Sequence, residues 1–380
     1  MLIQLCIPAA DSILSFSVDG QTFVKDLKLI TSIFSSDAEF MLALEKGNLA
    51  IVGADTTKTC AIVLNALECS GDGCFIFDPK VLNGVLNNRA EIKFTLQNSQ
   101  LSFSAAKGKY TGNMTTQPAG KTSVGQINIL LATKVEAASL PESVFATLDK
   151  AIKYCKLGDS YAEIDSELVR YIIGNKNKIT IATYDQFHSA LLTTKVDTIK
   201  NPFKIAVYQS HFDAIHKLAK QKEVQIAIND RYFYVSGPHF FLSLPPIQYN
   251  EQEFEVVHGI INDMITKEKI ASCNLDTKAL SNAIENICSI YEMGSKIELT
   301  VKQKRIDLKL ATSHGSITDA LAISDSEGTA TINFDAPPLK DVLKCSPPNV
   351  CRFAIVENKA YTLEYKFDGI FLNYMVAVLQ

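Results

Sequence analysis

Along most of this chain, apolar and polar residues alternate one by one. In EIKFTLQNSQLSFSA (91–105), Ile92, Phe94 and Leu96 fall on one face, and Leu101 and Phe103 resume it after Asn98-Ser99. KIELTVKQKRIDLKLAT (296–312) does the same with Ile297, Leu299 and Val301, then Ile306, Leu308 and Leu310. A period of two predicts strands, and a short polar break between two such runs predicts a hairpin. Hairpins of this kind build antiparallel sheets with one packed face and one wet face.

Six segments replace the alternation with apolar residues every three or four positions, the helical period. They are 21–36 (Phe23, Leu27, Ile30, Phe34), 79–90, 141–156 (Phe145, Leu148, Ile152, Cys155), 209–222 (Phe212, Ile215, Leu218), 276–291 (Leu280, Ile284, Ile287, Tyr291) and 337–345 (Leu339, Val342, Leu343). The second opens on Pro79, which suits a first helical turn because no intrahelical donor is lost there. Successive starts lie 58–68 residues apart, with roughly four strands between them. A near-constant period signals an internal repeat. Taking the units in pairs predicts an α+β protein of three similar domains, 1–118, 119–250 and 251–380, with joints near 116–122 and 246–260.

Charge changes this picture. The net charge of −4 excludes a uniformly basic nucleic-acid binder, though not a segregated one. The six helical segments hold thirteen basic residues against seven acidic ones, whereas the rest of the chain holds 24 against 34. The basic set is Lys25, Lys28, Lys80, Arg89, Lys150, Lys153, Lys156, Lys217, Lys220, Lys222, Lys278, Lys340 and Lys344. Lysine is also a good helix former on any solvated face, and segment 276–291 carries more acid than base. The contrast between helices and remainder still predicts a basic surface made by helices. Such a surface attracts phosphates without reading bases.

Candidate chemistry is sparse. TTQPAGKTS (115–123) ends like a phosphate-binding loop, but Thr115 stands where that loop needs its first glycine. The following SVGQINILLA reads as strand, so AGKT is expected to be a domain joint. The nine cysteines never occur as CxxC, which argues against a zinc site or a disulfide framework. Cys60, Cys155, Cys273 and Cys288 sit among apolar neighbours and are expected in the core. His211 and His216 are five apart and do not share a helix face, and no G-x-S-x-G elbow is present. SDSEGT (324–329) reads as a hairpin turn. No apolar run reaches the ~18 residues of a membrane span, and MLIQLCIPAADS lacks the basic start of a secretory leader. The expectation is a cytoplasmic, non-enzymatic protein without metal or cofactor.

Several segments resemble the bacterial DNA polymerase sliding clamp, the beta subunit of the replicative polymerase. LVRYIIGNKNKITIATYDQFHSALL (168–192) keeps Val169-Arg170-Tyr171 and Ala182-Thr183 of a clamp segment but lacks the Gly and Arg of its Asp-Gly-His-Arg continuation. SLPPIQY (243–249) is similar to the Phe-Pro-Asp-Tyr signature that closes the clamp's second domain, with Leu244 for Phe. The end, YMVAVLQ, resembles a shortened clamp tail without its Pro and Arg. These motifs cover about a tenth of the chain and point to a remote member, bacterial or viral in source.

The resemblance implies the DNA clamp fold: three domains of two βαβββ-like halves each, antiparallel sheets outside and helices inside a ring. It implies a homodimer that encircles double-stranded DNA, tethers the replicative DNA polymerase and is opened by a separate clamp loader. Lys25, Lys28, Lys80, Arg89, Lys150, Lys153, Lys217, Lys220, Lys278, Lys340 and Lys344 would then face the DNA. A pocket for partner peptides between the second and third domains would use Ile173, Thr183, His188, Pro246, Met375, Val376 and Val378. Two other classes compete: a β-rich virion or assembly protein, and an unrecognised enzyme acting on nucleic acid.

Overall fold

In a computed structural model of the chain, the alternating segments form antiparallel strands and the described 3.6-period segments pack across them. The structure describes residues 4–9, 12–34, 37–86, 90–105, 109–132, 138–140, 154, 169–184, 188–196, 199, 202–208, 211, 215, 218, 224–228, 233–245, 247, 251–357 and 360–378. Two compact units are present: Met1–Glu142 with His211–Pro246, and Ser143–Ser210 with Ile247–Gln380.

The amino-terminal stretch runs β1 (Leu14–Asp19), α1 (Gly20–Thr31), β2 (Glu39–Glu45), β3 (Asn48–Ala54), β4 (Thr59–Leu64), β5 (Ala66–Ser70), β6 (Gly73–Ile76), α2 (Pro79–Leu86), β7 (Glu91–Gln97), β8 (Gln100–Ala105), β9 (Tyr110–Thr115), β10 (Gln117–Pro118) and α3 (Lys121–Ala132). The middle holds β11 (Ala138–Leu140), β12 (Val169–Asn175), β13 (Lys178–Tyr184), β14 (His188–Lys195), β15 (Phe203–Tyr208), β16 (Val224–Ile228), β17 (Phe233–Ser236) and β18 (Phe240–Leu244). The last third runs α4 (Glu251–Thr266), β19 (Ala271–Asp276), α5 (Thr277–Ile287), β20 (Ile297–Val301), β21 (Arg305–Thr312), β22 (Gly315–Ala322), β23 (Ser324–Gly328), β24 (Ala330–Phe334), α6 (Ala336–Cys345), β25 (Val350–Val356), β26 (Ala360–Phe367) and β27 (Ile370–Ala377).

The first and last thirds repeat one plan, strand-helix-three strands followed by two strands, a helix and three strands. The repeat reaches individual residues. Asp19 ends β1 and caps α1 by accepting from the Thr22 amide; Asp276 ends β19 and caps α5 by accepting from the Ala279 amide. Phe77-Asp78, Leu82 and Val85-Leu86 at α2 recur with the same spacing as Phe334-Asp335, Leu339 and Val342-Leu343 at α6.

The first unit holds a five-stranded sheet, β5-β1-β7-β8-β9, and a nine-stranded sheet, β10-β6-β2-β3-β4-β18-β17-β16-β11. The second unit mirrors it with a nine-stranded sheet, β15-β12-β13-β14-β27-β26-β25-β19-β23, and a four-stranded one, β22-β21-β20-β24. Phe16 and Phe94 pair across β1 and β7, their rings stacked at 4.8 Å. The β7–β8 hairpin turns through Asn98 and Ser99, both with positive φ, as a two-residue turn matching strand twist requires.

Three expectations need correction. Residues 121–132 are not a strand but α3, which seats Val124 and Ile127 on Met41, Ala43 and Val52. The expected joint at 246–260 contains the start of α4, whose Phe254 and Ile261 pack on Tyr171, Ala182 and Leu191. Residues 324–328 are a strand, not a turn: β23 pairs antiparallel with β19, and Asn274 donates to Asp325 at 2.8 Å. Phe34 lies beyond the end of α1, and α5 stops at Ile287, followed by one 3₁₀ turn over Cys288–Ile290. Segments 141–156 and 209–222 lie outside the described residues except for Tyr154, His211, Ile215 and Leu218, each helical.

Cys60 and Cys273 are buried as expected, Cys288 is half-buried, and Cys155 is outside the described residues. Burial pushes the Cys74 and Cys273 thiols up to about 12 and that of Cys351 up to about 11. A thiol that holds its proton more tightly when folded stabilises the fold below the unfolded pKa of ~8.5, and that contribution is lost as pH rises above it. Cys74, Cys273 and Cys351 should therefore escape iodoacetamide at pH 8 in the native protein and react on unfolding. Peptide mass mapping before and after urea checks this.

Candidate nucleic-acid interface and partner site

Each terminal module packs two helices side by side, α1 on α2 and α5 on α6. The apolar stripes hold them down: Phe23, Leu27 and Ile30 in α1, and Leu280, Ala283, Ile284 and Ile287 in α5, are all buried. The residues between those stripes must face water. That geometry exposes Lys25 and Lys28 on α1, Lys80 on α2, Lys278 on α5 and Lys344 on α6, and half-exposes Lys340. Arg89, Lys150, Lys153, Lys217 and Lys220 lie outside the described residues.

Acids temper this surface unevenly. Lys344 meets the buried Asp341 carboxylate at 3.2 Å, so part of its charge is already satisfied. Burial raises the pKa of Asp26 beside the α1 lysines, and the nearby Lys25 partly opposes that shift. α4 has the opposite character, with Glu251, Glu255 and Asp263 exposed and no Lys or Arg between its ends.

The expected peptide-pocket residues fall in the second unit around the β14·β27 seam. Register pairs His188 with Val376 and Ser189 with Met375. Strand parity then separates them. Thr183 opposes Ala190, and Ala190 opposes Tyr374, which places Thr183, His188 and Val376 on one face of the sheet. That face turns toward α6, because the Tyr374 hydroxyl donates to the Cys345 carbonyl at 3.1 Å. Thr183, His188 and Val376 are at most 2% exposed. Ile173 lies on the other face, packed with Phe254 and Ile261 of α4, and Met375 shares that face half-exposed. Val378 follows the end of β27, half-buried, and Pro246 is outside the described residues.

Sequence reasoning missed α4, the element that covers part of this face by packing on β13, β14 and β27. Its signal was present in Phe254, Ile261 and Ile265 at helical spacing, behind an acidic first turn.

Among the described residues, no group of three or more His, Cys, Asp or Glu side chains is placed to hold a metal ion. No described helix is long and apolar enough to cross a membrane.

No family model and no curated protein matches the sequence. Solved structures do match over nearly the whole length. The DnaN sliding clamp of Pseudomonas aeruginosa, bound to griselimycin, superposes with a TM-score of 0.81 at 13% identity, covering 97% of this chain and 100% of that one. The DNA polymerase III beta subunit of Thermotoga maritima gives 0.78 at 14% identity over 97% and 99%. The DNA polymerase sliding clamp of Bacillus subtilis gives 0.78 at 13% over 97% and 100%. The chain has the sliding-clamp fold. At this identity the likeness lies in backbone architecture, and the clamp fold is kept by burial pattern and strand parity rather than by particular side chains.

Parity at the seam gives a direct test. A carboxylate at Val376 would be buried opposite the His188 ring, whereas one at Met375 can reach water. Val376→Asp should lower the unfolding free energy by about 3–5 kcal/mol and Met375→Asp by about 1 kcal/mol, measured by urea denaturation.

Proposed function

We propose that this chain is a sliding clamp, a non-enzymatic processivity factor whose copies close into a ring around duplex DNA and hold a DNA polymerase on it. The observation that carries this reading is the use of sheet edges. Three half-sheets have the order of β6-β2-β3-β4: that one, β15-β12-β13-β14 and β24-β20-β21-β22. Three others follow the order β1-β7-β8-β9: that one, β11-β16-β17-β18 and β19-β25-β26-β27. Each seam within the chain joins the last strand of one kind to the last strand of the other, β4 to β18 and β14 to β27.

Among the described residues, one edge of each kind is left, β9 and β22. Unpaired edges invite pairing with another chain. Joining β9 of one copy to β22 of the next would make a third nine-stranded sheet from the five- and four-stranded ones. Two copies joined this way head to tail form a closed ring, the outcome when the rotation between heterologous contacts closes. On these edges Tyr110, Ile317 and Leu321 are apolar, inward and only half-covered, with the Asp319 carboxylate between the last two. In this reading the chain comprises three modules, 1–118, 119–250 and 251–380, and the lysine-bearing helices line the hole. Lysines lining a channel bind duplex phosphates within a Debye length of ~8 Å without needing fixed contacts.

The polymerase, and the loader that opens the ring, would dock on the α4 side of the β14·β27 seam, where Ile173 and Met375 lie. Met375→Asp is the variant that tests this. Undiminished capture of the polymerase by that protein would place the docking site elsewhere.

Retention on DNA tests the ring itself. Protein loaded on a nicked circular plasmid should stay bound through gel filtration and be lost once the plasmid is linearised. Lys25→Glu with Lys28→Glu, Lys278→Glu and Lys344→Glu should reduce loading in a salt-dependent way, and Leu321→Asp should abolish retention. Equal retention on circular and linear DNA would contradict encirclement.

A further inference from the structure

Between α1 and α2 lies a cavity of about 590 Å³ that the ring mechanism does not use. Its size is within the ~300–1,000 Å³ typical of small-molecule sites. One wall is aromatic. Phe34 stands edge-to-face on Phe40 with ring centroids 5.7 Å apart. The ring lies directly on Gly53 of β3, where a Cβ would come within 2.6 Å of it, so the glycine is what seats the ring. The rim is cationic, with exposed Lys28 from α1 and Lys80 from α2. Asp78, also at the cavity, is already engaged, its Oδ1 accepting from the Lys80 amide at 2.7 Å and from the Val81 amide at 3.4 Å.

The second unit has a smaller hollow of about 280 Å³, lined by Cys288, Tyr291 and residues of α6. Tyr291 follows the capping Asp276 at the same distance in sequence as Phe34 follows Asp19. The lysines are not matched, since the same spacing puts Glu285 and Pro337 at the positions of Lys28 and Lys80.

An aromatic wall and two cations on facing helices match the base and the phosphate of a nucleotide. A purely aliphatic ligand would not use the lysines. Duplex DNA would not enter either, because its bases are stacked on one another. We propose that the α1–α2 cavity binds one unpaired nucleotide, with its base against Phe34 and its phosphate between Lys28 and Lys80. The nucleotide can come from a single-stranded end of DNA or from free nucleoside triphosphate. Only the first source rests on the clamp reading.

Fluorescence anisotropy on the full chain at 50 mM salt tests this with three probes: labelled hexathymidylate, labelled thymidine triphosphate and a blunt 20-base-pair duplex. Phe34→Leu keeps an apolar side chain but removes the stacking face. It should weaken hexathymidylate about five- to a hundredfold, the range found when a base loses its aromatic platform, and leave duplex binding unchanged. Lys28→Gln with Lys80→Gln should weaken the same probe, and it keeps the test available if Phe34→Leu fails to fold. Binding of the triphosphate as tightly as the oligonucleotide assigns the site to free nucleotide; oligonucleotide binding alone assigns it to a strand end. Binding of neither, or single-strand affinity unchanged in Phe34→Leu and in Lys28→Gln with Lys80→Gln, overturns the proposal. So does an acidic aromatic peptide that binds in a Phe34-dependent way while the nucleotides do not. Failure of the ring reading would instead appear as loss of circular-plasmid retention with nucleotide binding intact.

Discussion

An antiparallel sheet ends on each side in a row of unpaired amides and carbonyls, and in this chain two such rows are closed by strands distant in sequence. Seven consecutive residues of β14, His188 to Thr194, pair with β27, and four residues of β18 pair with β4. Those pairings fuse half-sheets that are distant in sequence into nine-stranded sheets. They also fix which strand faces which helix. Once His188 sits opposite Val376, parity determines that Thr183 and Val376 turn toward α6 and that Ile173 and Met375 turn toward α4. The helices follow from the sheets. α1, α2, α5 and α6 have one apolar stripe each to bury, so their lysines are left in solvent.

The same constraint accounts for how the fold can survive at 11–14% identity to the solved clamps. The proposed sliding ring would need edges that pair and a basic lining, and neither depends on particular side chains at particular atoms. Backbone hydrogen bonds supply the first. Lysines anywhere on the exposed helix faces supply the second, through a field rather than through contacts. Local devices recur where geometry demands them, as with Asp19 and Asp276 at the helix starts. Elsewhere the two terminal modules have drifted apart.

Much of the fold was legible because strands and helices here keep clean periods. The β7–β8 and β20–β21 hairpins, α1, α2, α5 and α6 all follow from apolar spacing. Elements without such spacing were misread for definite reasons. α3 carries Val124 and Ile127 among β-branched and small residues, a composition that suits strands, and only packing on Met41 and Val52 decides for helix. β23 has no apolar residue at all. Backbone pairing with β19 and polar contacts such as Arg352 to Glu327 at 3.1 Å hold it, and alternation cannot reveal a strand of that kind. The candidate pocket was legible as a set of residues but not as a surface, since the register that splits Ile173 from Thr183 is a property of the sheet. The hollow between α1 and α2 was invisible, because Phe34 read as one more residue of a helical stripe.

The central claim is that β9 and β22 pair between copies, and mass in solution tests it most directly. Native mass spectrometry or sedimentation equilibrium at micromolar protein should give twice the chain mass of 41.8 kDa, and Leu321→Asp should return the single-chain value. A wild-type protein that stays at 41.8 kDa across that concentration range would contradict the account, because no ring could then close around DNA.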